Sequence, residues 1–132
     1  MNITKLIVHC SDTPDSRDVS AADIHRWHLE RGWSGIGYHK IIKRDGTIEN
    51  GRPEYWYGAH AKDHNLDSLG ICLIGRKHYT NQQMQTLYDQ LKLWLKKYPK
   101  AKIYGHRDFD NNKSCPNFNV QQWWDITFSN GL

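Results

Sequence analysis

Two stretches of the chain are apolar without alternation, which marks strands covered on both faces rather than on one. The first spans residues 3–9 around Leu6-Ile7-Val8 and ends in the polar run His9-Cys10-Ser11, before the break at Asp12-Thr13-Pro14. The second is Leu69-Gly70-Ile71-Cys72-Leu73-Ile74-Gly75, in which Cys72 reads as a small core residue. Helical spacing takes over elsewhere. Ser20-Ala21-Ala22-Asp23 has the form of a capping box with Asp in place of Glu; it opens a helix to about Arg31 that Gly32 closes. Ile24, Trp27, His28 and Arg31 share one face of it, and His25 and His28 read as surface or packing histidines. Thr80-Asn81-Gln82-Gln83 is a second capping box, followed by Met84, Leu87, Tyr88, Leu91, Leu95 and Tyr98 at helical spacing until Pro99. That stripe is core. Asn119 caps a last helix carrying Trp123 and Trp124.

Between these elements lie shorter signals. Residues 38–43 and 47–49 are β-rich and flank Arg44-Asp45-Gly46, a strong hairpin signature. Residues 102–104 form a short strand leading into Gly105-His106. Residues 54–65 are irregular, with Tyr55, Trp56, Tyr57, His60 and His64, and read as a long functional surface loop. Strands and helices alternate without repeats or a linker. This predicts a single α/β domain over 1–132, with a mixed central β-sheet flanked by helices and the hairpin at one side.

Composition narrows the class but not the function. At 132 residues, with 12% aromatic and 24% charged residues, the chain suits one globular domain and excludes disorder. A net charge of +4 is compatible with several anionic partners, and no basic run of the kind found in nucleic-acid arms occurs. No nucleic-acid partner is therefore expected. No segment has the apolar length of a signal peptide or a membrane span, so membrane insertion is not expected and synthesis in the cytoplasm is. Three cysteines, Cys10, Cys72 and Cys115, do not make a disulfide framework and fit a reducing compartment.

The polar ends of the strands carry the candidate chemistry. His106 lies nine residues before Cys115 in a Gly105-His106-Arg107-Asp108 … Lys113-Ser114-Cys115-Pro116 segment, and His9 ends the first strand. Two imidazoles and a thiolate are a zinc donor set that leaves a fourth position for water, the catalytic pattern. Spacing alone leaves this open, because eight histidines and three cysteines allow many trios. Cys10 is a rival ligand, although adjacent strand residues point to opposite faces, which assigns it to packing beside His9. Asp108 is either a partner orienting His106 or a turn residue. Lys113 could stabilise an oxyanion, and Tyr38 could donate to the same oxygen; their ordinary readings are a solvated lysine and a strand aromatic.

The ordered motifs resemble a known family. Val8-His9-Cys10-Ser11, the run from Gly37-Tyr38-His39 to Gly46-Thr47, Gly58-Ala59-His60-Ala61, residues 69–75, His106-Arg107-Asp108, residues 113–118 and Trp123-Trp124 together resemble N-acetylmuramoyl-L-alanine amidases of the phage-lysozyme type, zinc enzymes related in fold to peptidoglycan recognition proteins. The resemblance implies hydrolysis of the amide between N-acetylmuramic acid and L-alanine in peptidoglycan, as an endolysin acting in host lysis. It implies one zinc per chain held by His9, His106 and Cys115, with Tyr38 and Lys113 catalytic and His60 and Trp56 beside the substrate. A monomer is expected, reaching the wall after the membrane is permeabilised. Two alternatives accompany it: a non-catalytic peptidoglycan binder, and a regulator of phage RNA polymerase. The few residues before His9 weigh against polymerase binding, and no separate wall-binding module is expected.

Overall fold

Leu6, Ile7 and Val8 have no solvent-exposed surface, and neither do Leu69, Ile71, Cys72 and Leu73. Such strands need cover on both faces, and the computed structural model, which describes residues 2–130, supplies it. Strand β1 (Lys5–Cys10) lies between β4 (Ser68–Leu73) and β5 (Lys102–Gly105), parallel to both. Strand β2 (Lys40–Ile42) runs parallel to β4 on its other side, and β3 (Ile48–Asn50) closes the edge antiparallel to β2. The sheet order is β3-β2-β4-β1-β5, a mixed sheet as expected. The hairpin turn has Gly46 at φ 88°, a conformation that glycine adopts without a Cβ clash, and Asp45 Oδ1 accepts the Thr47 N–H at 2.9 Å.

Alternation along the strands separates two cores. Leu6 and Val8 of β1, with Leu69, Ile71 and Leu73 of β4, face helices α2 (Asn81–Lys97) and α3 (Val120–Ser129), meeting Leu87, Leu91, Trp94 and Val120. Each such aliphatic side chain contributes about 1.5–3 kcal/mol by leaving water. The opposite face packs Ile41, Cys72 and Ile74 under helix α1 (Ala21–Glu30), with Val19, Ile24 and Ile36. Helix α1 covers only part of that face. Caps fix the helix starts where the sequence places them: Ser20 with Asp23, Thr80 with Gln83, and Asn119 accepting from Gln122 N–H. Gly32 follows the end of α1 at φ 85°. No helix among the described residues is long and apolar enough to cross a membrane.

The loop over residues 54–65 departs from expectation. Tyr55, Trp56 and Tyr57 are exposed, but the chain then dives inward: His60 and Ala61 are buried. Asn65 Oδ1 accepts both the His60 and Ala61 N–H groups at 3.0 Å, so the turn is tied down by one side chain. A 3-10 turn at Asn65–Asp67 then enters β4.

Candidate active site

His9 is the penultimate residue of β1 and points to the face that α1 leaves open, opposite Cys72 of β4. It is 1% exposed. Burial, then the neighbouring His60 and His106, hold its pKa well below the ordinary histidine value, so the imidazole is neutral. Three rings surround it: His106 at 4.4 Å between centroids, His60 at 4.8 Å and Tyr38 at 5.1 Å. A neutral imidazole is the form that binds a metal.

His106 arrives from β5, where Gly105 ends the strand and a 3-10 turn, His106–Asp108, begins. Its pKa is lowered by burial; Asp110 opposes this and Lys113 adds to it, which puts the Lys113 ammonium within electrostatic reach of the ring. Asp108 is a turn residue: its carboxylate accepts the Gly105 N–H at 2.8 Å and is spent on its own turn. The segment bearing Cys115 folds back against this turn, with Arg107 N–H donating to the Cys115 carbonyl at 2.9 Å. Residues far apart in sequence thus converge at the ends of β1 and β5.

Cys115 does not stand as a free thiol. It is disulfide-bonded to Cys10, which corrects the assignment of Cys10 to packing and shows one bridge where three cysteines do not suggest a disulfide framework. The reason is placement: both side chains sit at the end of β1, with Cα atoms 5.7 Å apart, a spacing that suits a disulfide. A sulfur so bonded has no thiolate to give a metal. Among the described residues no three His, Cys, Asp or Glu side chains form a group able to hold a metal ion. His9 and His106 fit zinc as neutral imidazoles; Cys115 fits it once Cys10 releases the sulfur.

Tyr38 is half-buried, with its ring also 5.7 Å from His28. Burial, and secondarily the Cys72 thiol, raise its hydroxyl pKa well above 10, so it is a proton-bearing donor at neutral pH. Its backbone is held in part by His25 and His28, which the sequence reads as surface or packing histidines. His28 Nδ1 accepts the Gly37 N–H and His25 Nδ1 accepts the Ile36 N–H, both at 3.0 Å. Arg52 adds hydrogen bonds from Nε to the Ile36 carbonyl and from its N–H to the Tyr38 carbonyl. The i, i+3 spacing of His25 and His28 on a capped helix was the available signal.

His60 is not an open groove residue. It is buried, with Nδ1 2.8 Å from His9 Nε2 and Nε2 3.2 Å from Ser68 Oγ. Burial, followed by His39, His106 and Arg52, lowers its pKa to about 3. His39 is likewise neutral: its Nδ1 accepts the Gly70 N–H at 3.1 Å, so its Nε2–H donates to the Trp56 carbonyl at 2.9 Å. The Trp56 side chain is 56% exposed and, with His25, Ile36 and Arg52, lines a cleft of about 410 Å³ that neither His9 nor His106 lines. Lys113 is exposed, and the His64 ring packs tilted against Phe109 with centroids 4.3 Å apart.

Comparison with known proteins gives this arrangement a context. The family model described as N-acetylmuramoyl-L-alanine amidase matches residues 1–118. The chain is 42% identical over 128 residues to an endolysin of Enterobacteria phage T3, covering 91% of this chain and 84% of the relative. Among solved structures, N-acetylmuramoyl-L-alanine amidase LysC from Clostridium intestinale superposes with a TM-score of 0.87 at 31% identity, over 97% of this chain and 86% of that one. Wild-type Drosophila PGRP-LB superposes with a TM-score of 0.79 at 29% identity, over 96% and 80%.

Proposed function

The chain belongs to the N-acetylmuramoyl-L-alanine amidase family, and on that premise we propose that it hydrolyses the amide between the lactyl group of N-acetylmuramic acid and the L-alanine of the peptidoglycan stem, with zinc as cofactor. The observation that carries the reading is the close packing of three functional rings at one strand end. His9 and His106 lie 4.4 Å apart and Tyr38 lies 5.1 Å from His9. The phage endolysins among the relatives support placing this reaction in host lysis.

His9, His106 and the reduced Cys115 are the residues that would hold the metal. Bound there, zinc supplies a Lewis acid that brings the pKa of water to about 7 and polarises the carbonyl under attack. Tyr38, kept protonated by its surroundings, donates a hydrogen bond to the oxygen on which negative charge develops. Lys113 sits in the loop beside His106, and its ammonium adds positive charge at the same oxygen. His25 and His28 hold the strap that aims Tyr38, so the donor is positioned before substrate arrives.

Mass spectrometry of digested peptidoglycan tests the reaction. Free stem peptides beginning at L-alanine, with glycan strands intact, are expected; cut glycan or cut cross-links would overturn it. A chelator should abolish release and added zinc should restore it. Full release by a folded, zinc-free protein would remove the metal from the reaction.

A further inference from the structure

Of the buried polar groups facing the site, His60 and Ser68 have no part in the reaction described above, yet they make a continuous chain to His9. His60 Nδ1 is 2.8 Å from His9 Nε2, and His60 Nε2 is 3.2 Å from the Oγ of Ser68, which has no exposed surface. We propose that His60, backed by Ser68, is a positioning residue that holds the ring orientation of His9 and accepts its Nε2–H when His9 presents its Nδ1 lone pair to a cation. This rests on the reading of His9 as a zinc ligand.

The proton count follows from the geometry. Each short contact between two ring nitrogens carries one hydrogen. If Ser68 Oγ accepts from His60 Nε2–H, then His60 Nδ1 is an acceptor and must receive the Nε2–H of His9. His9 is then left with a bare Nδ1, which has no hydrogen-bond partner among the described residues. The reverse polarity puts a proton on that nitrogen and blocks it. A serine hydroxyl turns to serve either polarity, so binding of a cation selects the first.

The seat for His60 is shaped for this purpose. Its ring lies where two glycines leave room: a Cβ on Gly70 would come 2.6 Å from His60 Cγ, and a Cβ on Gly58 would collide with His60 Cδ2. Its backbone N–H is held by Asn65, and the His39 ring closes the side at 5.8 Å. His39 cannot compete for the His9 contact, because both its nitrogens are already engaged by the Gly70 N–H and the Trp56 carbonyl. A ring held this tightly serves orientation rather than the capture of a large substrate.

The test uses the reduced full chain and zinc competed against a chromophoric chelator, alongside ¹⁵N spectra of the zinc-loaded protein. His60→Phe, which keeps the ring volume but no polar atom, should bind zinc about 10–100-fold more weakly. His60→Asn, whose amide lies where Nδ1 was, should recover most of that loss, and Ser68→Ala should fall between them. The spectra should show His9 protonated on Nε2 in the zinc-loaded native chain. Zinc affinity of folded His60→Phe within about twofold of native, or equal losses in the Asn and Phe variants, would overturn the role. If His60→Phe does not fold, native-like affinity in Ser68→Ala together with a proton on His9 Nδ1 would overturn it. His9→Ala separates the two levels: zinc binding undiminished in that variant defeats the ligand assignment itself. Loss there with none in His60→Phe defeats only the positioning.

Discussion

Cys10 and Cys115 are bonded through sulfur across 105 residues of chain, at the strand end where His9 also lies. The bond takes the one soft donor of the proposed zinc set and joins it to the residue whose side chain leaves β1 on the face opposite His9. Zinc uptake should therefore depend on reduction. Oxidised protein is expected to bind well under one equivalent, and reductant should raise this to about one zinc per chain. Cys10→Ser should load fully without reductant. Atomic absorption after gel filtration measures both, and full loading of the verified disulfide form would show that Cys115 is not a ligand.

Tyr38 and Lys113 are expected to act on the substrate's oxygen and not on the metal. Tyr38→Phe and Lys113→Ala should each keep native zinc content and lose turnover by about 10²–10³-fold, the loss expected for one oxyanion donor. Because the Tyr38 ring is packed between His9 and His28 and the Phe variant preserves that packing, any change in melting temperature should be small. Unchanged hydrolysis of peptidoglycan by either variant would remove that residue from the chemistry.

Gln83 ties the C-terminal ends of β2 and β4 together from the α2 side of the sheet, without touching the site. It has no exposed surface, its Nε2 donates to the carbonyls of Ile42 at 3.2 Å and Ile74 at 2.8 Å, and its Oε1 accepts from Arg44 Nη1 and Thr80 N–H, both at 3.0 Å. Replacing it with leucine leaves the Ile42 carbonyl only the Ile74 N–H and the Ile74 carbonyl only Arg44 Nη1, and removes the side-chain acceptor of the Thr80 N–H in the capping box. Gln83→Leu should lose about 1–3 kcal/mol in urea unfolding, with zinc stoichiometry unchanged. A loss below about 1 kcal/mol would mean that water or Arg44 re-satisfies these groups.

The parts of this fold that could be read from the chain are those fixed by local rules. The unbroken apolar runs at Leu6-Ile7-Val8 and Leu69–Ile74, the two capping boxes and Asp45-Gly46 each encode their own outcome, and β1, β4, α1, α2 and the hairpin form there. The convergence of His9 with His106 depends on β1 and β5 pairing side by side, a relation that no local pattern carries; family resemblance anticipated it. The inward path of residues 58–61 was hidden because its polar atoms are satisfied by distant partners, His9 and Ser68 among them. The Cys10–Cys115 bond was hidden for the same reason: a count of cysteines says nothing about which strand end each one reaches.

His28 makes the Tyr38 strap sensitive to acid. Burial, followed by the charges of Arg31, Arg52 and His25, lowers its pKa from the ordinary 6.5 to about 4. Between those values the unfolded chain binds a proton that the folded chain refuses, so stability rises with pH across that window. The contribution is intact above 6.5, is lost as pH falls toward 4, and changes no further below that. Protonation would also place a donor where Nδ1 must accept the Gly37 N–H, releasing the strap. Metal-free protein should therefore melt progressively lower from about pH 7 to about pH 4. His28→Asn, which keeps an acceptor near the Nδ1 position but cannot titrate, should show a shallower decline over the same range. Equal slopes for the two proteins in differential scanning calorimetry would assign the acid sensitivity to groups other than His28.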